Sequence, residues 1–152
     1  MNRLSPGDEA PRFALADQDG STVTLDSFAG RRVLLYFYPR DATPGCTTEA
    51  RQFGQLLDRF AKRGISVLGV SPDSPDSHTR FRSAEGIRFD LLSDPDHSVM
   101  ESYGAWGEKT NYGKTIVGAI RSTVLVGADG RVERAWYNVR AEGHAERVLK
   151  DI

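Results

Sequence analysis

Val33-Leu-Leu-Tyr-Phe-Tyr38 is the longest apolar run in the chain, and Pro39 stops it. Six branched and aromatic residues without polar alternation fit a strand buried on both faces, the kind that lies inside a sheet covered by helices. Proline cannot donate to a strand ladder, so Pro39 marks the strand's end. Thr43-Pro44 then reads as a helix start, a hydroxyl at the N-cap and proline at the first helical position. Ala50, Phe53, Leu56, Leu57, Phe60 and Ala61 recur at helical spacing as far as Gly64. A buried strand, a short turn and an amphipathic helix in succession exclude an all-β or all-α chain.

The same reading extends along the sequence. Phe13 to Leu25 is predicted to be a hairpin turning at Asp19-Gly20. Ile65 to Val70 is a second buried strand, and Ser74-Pro75 opens a helix that runs to Glu85. Phe89 to Leu92 is a short strand, and Asp94-Pro95 caps a helix ending near Tyr103. Ser122 to Val126 and Val132 to Tyr137 form a hairpin through Asp129-Gly130. Ala141, Ala145, Val148, Leu149 and Ile152 share one face of a final helix. Strands and helices alternating, then an antiparallel hairpin and a helix, predict an α/β fold with a mixed sheet. Tyr103 to Ile120 is left as one long glycine-containing connection, of a length usually tied to function.

At 152 residues the chain is read as one domain, 1–152, without repeats or linkers. A net charge of −1 and a pI of about 6.3 give no electrostatic case for binding nucleic acid or an anionic membrane. Met1 to Pro11 is polar and turn-rich, with no apolar signal segment, so a cytoplasmic location is expected. No cofactor is implied, and His78, His97 and His144 have no spacing that would gather metal ligands.

Cys46 is the only cysteine. One thiol forms no internal disulfide and no cysteine-based zinc site, so it is either a small buried hydrophobe or a reactive nucleophile. Its place favours the second reading. In the register set by Thr43-Pro44, Cys46 falls in the first helical turn, where unpaired N–H groups and the helix dipole stabilise a thiolate.

Pro39, Thr43 and Cys46 match the P-x-x-x-[TS]-x-x-C signature of the peroxiredoxins, and Tyr36 to Glu49 as a block resembles their PrxQ, or bacterioferritin comigratory protein, branch. Tyr103 to Lys109, Tyr112 to Lys114, Arg121-Ser-Thr123 and Gly143-His-Ala145 resemble further stretches of that branch in order, so the likeness spans roughly Leu4 to Leu149. It implies a thioredoxin-like fold with an N-terminal β-hairpin extension. It also implies a peroxidase that reduces hydrogen peroxide and organic hydroperoxides through a sulfenic acid on Cys46. By the same resemblance Thr43 accepts from the helix N–H groups or donates to the thiolate and the peroxide. Pro39 shields the pocket from water, and Arg121 supplies the positive charge that polarises the O–O bond. From the residues alone, Arg121 would be read instead as a solvated arginine at a strand start. Glu49 either complements the helix dipole or positions Arg121 and the Thr43 network. Arg40 and Asp41 are read as solvated loop residues. Trp106 and Tyr112 either line an apolar collar for alkyl hydroperoxides or merely pin the long connection to the core.

The sequence departs from the branch in one respect. Positions where relatives carry a second, resolving cysteine are occupied by Arg51 and Arg82. A one-cysteine mechanism follows, with the sulfenic acid reduced by an external thiol: a thioredoxin, a glutaredoxin or a low-molecular-weight thiol. The protein is expected to be a monomer or weak dimer. Two other classes stay open: a peroxide-sensing or redox-relay partner without efficient turnover, and a thioredoxin-like binding module. A thiol–disulfide oxidoreductase is disfavoured by the absence of a Cys-x-x-Cys pair.

Overall fold

The computed structural model of the chain describes residues 3–152. The apolar run forms β3 (Arg32–Phe37), and its alternation shows why both faces had to be apolar. Leu34, Tyr36 and Tyr38 enter one hydrophobic cluster, whereas Val33, Leu35 and Phe37 enter a second on the opposite face. Each of these side chains is at most 1 % exposed, and burial stabilises each by roughly 1.5–3 kcal/mol.

Around β3 the chain lays down β1 (Ala14–Ala16), β2 (Thr22–Thr24), α1 (Pro44–Lys62), β4 (Ile65–Ser71), α2 (Pro75–Glu85) and β5 (Asp90–Ser93). Then come α3 (Ser98–Ser102), β6 (Trp106–Asn111), β7 (Lys114–Ala119), β8 (Ser122–Val126), β9 (Val132–Trp136) and α4 (His144–Asp151). Seven strands form one sheet in the order β2-β1-β5-β4-β3-β8-β9. The β3, β4 and β5 strands run parallel, while β8 returns antiparallel to β3 and β1 pairs antiparallel with both β2 and β5. The sheet is mixed and flanked by helices, and the N-terminal β1–β2 hairpin extends it, as the sequence predicts.

The first cluster joins β3 to α1 (Ala50, Phe53, Phe60), α2 (Phe81) and α4 (Ala145, Val148, Leu149). Its centre is Tyr36, stacked on Phe53 at 4.5 Å between ring centroids. Gly69 of β4 makes room for that ring: a Cβ there would lie 3.0 Å from the Tyr36 hydroxyl and 2.8 Å from Leu91. The second cluster holds Phe13, Leu25, Met100, Tyr103 and Ala105 against the other face. The Ser74 hydroxyl caps α2 by accepting from the Ser77 N–H, and Gly86 closes that helix at φ 64°.

Two expectations are corrected. The connection from Tyr103 to Ile120 is no loop: β6 and β7 pair antiparallel as a separate two-stranded sheet, turning on Tyr112-Gly113. Helix α3 begins at Ser98 rather than at Pro95, because His97 takes a left-handed φ of 51°. The Asp94 carboxylate nevertheless caps it, accepting from the N–H groups of Val99 and Met100. Among the described residues no helix is long and apolar enough to cross a membrane.

Candidate active site

Cys46 is the third residue of α1 and only 2 % exposed, packed in the same apolar cluster as Tyr36, Tyr38 and Ala50. A thiol so placed would be inert without a charge beside it. Arg121 supplies one. Its Nη2 donates to Cys46 Sγ at 3.4 Å, while Nη1 donates to Glu49 Oε1 at 2.5 Å. One guanidinium therefore bridges the sulfur and a fully buried carboxylate one turn further along α1.

Register brings the pair together across 75 residues. Because β3 and β8 are antiparallel neighbours with Phe37 opposite Ser122, the end of β3 meets the start of β8. The turn after β3 leads into Cys46, and Arg121 immediately precedes β8. The Arg121 backbone is tied on both sides: its carbonyl accepts from the Val139 N–H at 3.0 Å, and the preceding Ile120 N–H donates to Ala105 at 2.8 Å. Gly45 leaves the guanidinium space, since a Cβ at that position would lie 3.3 Å from Arg121 Nη2 and 3.7 Å from Ala141 Cβ.

Electrostatically the site sets one cation against buried acidic groups. Burial pushes the Glu49 carboxyl up to about 7, against the opposing pull of Arg121. Burial pulls Arg121 down, but Glu49 and Cys46 together hold the guanidinium above its ordinary value. Tyr36 is raised by burial and then by the negative groups Glu49 and Cys46. Near the same end of the sheet, burial and the charges of Arg121 and Arg147 hold His144 down at about 4. Neutral His144 shares a 2.7 Å hydrogen bond with the Thr123 hydroxyl.

Thr43 stands at the N-cap of α1, but its hydroxyl makes no capping bond; it donates instead to the Arg40 carbonyl at 2.9 Å. Pro39 is exposed at the end of β3. Trp106 stacks on His97 with ring centroids 3.9 Å apart and packs against the second cluster, so it pins the hairpin to the body. Tyr112 is 98 % exposed at the hairpin tip and lines no collar. Asp41 is also misread by the sequence: it is 7 % exposed, not solvated. It gathers with Asp73 and His78, their ligand atoms within 4.8 Å of one another, a convergence that histidine spacing alone does not reveal. Gly45 and Val139 were likewise missed. The Pro-Gly-Cys sequence offers a signal for Gly45; nothing marks Val139, whose contribution is a backbone N–H.

The model of the AhpC/TSA family matches residues 6–135. The chain is a peroxiredoxin of that family. It is 50 % identical to a putative peroxiredoxin of Mycobacterium tuberculosis over 150 residues, which cover 99 % of this chain and 96 % of the relative. It is 46 % identical to the peroxiredoxin Bcp of Escherichia coli over 149 residues, 98 % of this chain and 96 % of the relative. Among solved structures it resembles the bacterioferritin comigratory protein of Xanthomonas campestris, described for its alkyl peroxide reduction activity. That likeness has a TM-score of 0.86 at 42 % identity, covering 91 % of this chain and 88 % of the other. The peroxiredoxin's thioredoxin-like architecture and its place in the PrxQ branch agree with the sequence resemblance. Arg51 and Arg82, which stand where the sequence resemblance implies a second thiol, have other partners here. Arg51 pairs with Glu85 at 2.6 Å and Arg82 donates to the Phe89 carbonyl at 3.0 Å.

Proposed function

We propose that this peroxiredoxin reduces hydrogen peroxide and organic hydroperoxides by a one-cysteine mechanism, with Cys46 as nucleophile. The observation that carries this reading is the Arg121 guanidinium spanning the buried Cys46 Sγ and Glu49. Arg121 stabilises the thiolate before attack. As sulfur bonds to one peroxide oxygen, the O–O bond breaks and negative charge moves to the leaving oxygen, which the same guanidinium meets. The leaving alkoxide or hydroxide takes a proton and departs as alcohol or water, and sulfur is left as sulfenic acid. Thr43, its hydrogen committed to Arg40, offers the peroxide O–H an acceptor one turn before the sulfur. Pro39 covers the mouth. Glu49 is a positioning residue that fixes the guanidinium's orientation. The alkyl peroxide reduction of the Xanthomonas relative supports organic hydroperoxides as substrates.

Recycling falls to an external thiol, because the chain has no second cysteine. A thioredoxin, a glutaredoxin or a small thiol condenses with the sulfenic acid, releasing water, and a second thiol frees Cys46 as the exchanged disulfide leaves.

Stopped-flow oxidation of the reduced protein by hydrogen peroxide, followed by tryptophan fluorescence, tests the reading. A fast second-order reaction that Cys46→Ser abolishes and Arg121→Ala slows by about 100-fold or more is expected. A rate no better than that of free cysteine would overturn it.

A further inference from the structure

A second buried polar cluster lies outside the set of Cys46, Arg121 and Glu49. Asp41 sits in the turn between β3 and α1, and its Oδ1 accepts from the Tyr38 hydroxyl at 2.6 Å. Its Oδ2 accepts from the Ser77 hydroxyl at 2.8 Å and faces His78 Nδ1 at 2.7 Å. The other ring nitrogen of His78, a fully buried residue of α2, lies 2.9 Å from the Leu92 carbonyl on β5. The Asp41 backbone N–H donates to Asp73 Oδ2 at 2.8 Å, an oxygen that also accepts from the Ser71 hydroxyl at 2.6 Å.

The partners settle the proton count. A carbonyl oxygen only accepts, so Nε2 carries a hydrogen; Nδ1 faces a carboxylate oxygen, so a second proton lies between Nδ1 and Oδ2. Without it, two lone pairs would face each other in a space closed to water. Both ring nitrogens of His78 and both Asp41 oxygens are thus engaged within the protein.

The turn this cluster grips is strained. Ala42 has a φ of 62°, a left-handed conformation that a residue with a Cβ adopts only when its surroundings impose it. The next residue, Thr43, makes no capping bond to α1. The first turn of α1, and with it the sulfur, is therefore set from outside the helix.

We propose that the proton-sharing Asp41–His78 pair is a positioning device for Cys46. It fastens the strained turn from Arg40 to Thr43 onto α2 and β5, and so fixes where α1 presents the thiol to Arg121. Neither residue touches a reacting atom; both act through the turn. The kinetic consequence rests on the peroxidase reading, whereas the structural one does not.

Three measurements on the full chain test this. Nitrogen-15 spectra of the reduced protein should show both ring nitrogens of His78 in the protonated class. Asp41→Ala and His78→Leu should each raise amide hydrogen exchange across residues 42–47 and slow peroxide oxidation of Cys46 by about tenfold or more. The double variant should be no slower than the worse single one, as expected of groups acting as a unit. Asp41→Asn, whose amide can donate to a neutral His78, should recover most of the rate. An unprotonated ring nitrogen on His78, additive effects, or a loosened turn with unchanged oxidation would overturn the proposal. Should the unmutated protein itself react no faster than free cysteine, the peroxidase reading falls, and the exchange and nitrogen measurements still decide whether the pair holds the turn. If the alanine and leucine variants do not fold, the nitrogen spectra and Asp41→Asn decide it.

Discussion

Glu49 has its two oxygens in different surroundings: Oε1 accepts from Arg121, while Oε2 is buried with no hydrogen-bond partner. A proton carried by this group sits on Oε2. Its folded value of about 7 stands above the ordinary 4.5, so the folded state holds that proton more tightly than the unfolded chain does. Stability contributed by Glu49 is therefore full at acid pH and is lost as pH rises through that interval. Glu49→Gln should abolish this slope. Urea unfolding of both proteins below pH ~5 and above pH ~8 measures it, with a change in the difference on the order of 3 kcal/mol expected. Gly45 matters for space rather than backbone freedom. Gly45→Ala would push against Arg121 Nη2 at 3.3 Å, so peroxide oxidation should slow several-fold while circular dichroism stays unchanged; an unaltered rate would show that the guanidinium has room to give. Cys46 was legible from its own neighbours, because the N-cap threonine, the proline after it and the helical register are local signals. Arg121 was not. Nothing local separates it from the chain's other fifteen arginines, and only the resemblance singled it out. The contact of Asp41 with His78 spans 37 residues, and no period in the sequence encodes it.

At the level of elements, prediction succeeded where two signals coincided. Helices α1 and α2 each open on a hydroxyl residue followed by proline, and α1 also carries apolar residues at helical spacing, so its start and type agree. Strands β3 and β4 are short apolar runs between breakers. The β6–β7 hairpin escaped because its strands mix glycine, glutamate, lysine and threonine, and its turn is Tyr-Gly rather than Asn-Gly. Both turn residues have positive φ, 52° at Tyr112 and 77° at Gly113, as a type I′ turn demands. An exposed tyrosine there is strained, so Tyr112→Asn should raise stability by about 0.5–1 kcal/mol in thermal or urea unfolding. On α1, Arg51 lies five residues beyond Cys46. Helical geometry separates their Cα atoms by about 9 Å, beyond the ~7 Å a disulfide can span. If Arg51→Cys supplies a resolving thiol, peroxide should produce an intramolecular disulfide only as the start of α1 unwinds. Mass spectrometry would detect the bond and far-ultraviolet circular dichroism the lost helix; a bond without helix loss would contradict the geometry.

For the molecule as a whole, the sheet order was beyond the sequence. Alternation predicted a mixed sheet, but β1 lying beside β5, and β8 beside β3, are long-range pairings without a local signature. Those pairings also decide where the chemistry resides. The β3–β8 register sets the start of β8 opposite the end of β3, and a slip of one residue would turn the neighbouring side chains to the other face of the sheet. Closing that ladder requires the intervening segment, with α1, α2 and α3, to be in place. A chain leaving the ribosome thus carries Cys46 long before it carries Arg121. Until β8 is synthesised and docked, the sulfur lacks the guanidinium to which the proposed mechanism assigns its activation. On the proposed mechanism, fast oxidation at Cys46 is a report of completed folding, one that a nascent or misfolded copy cannot give.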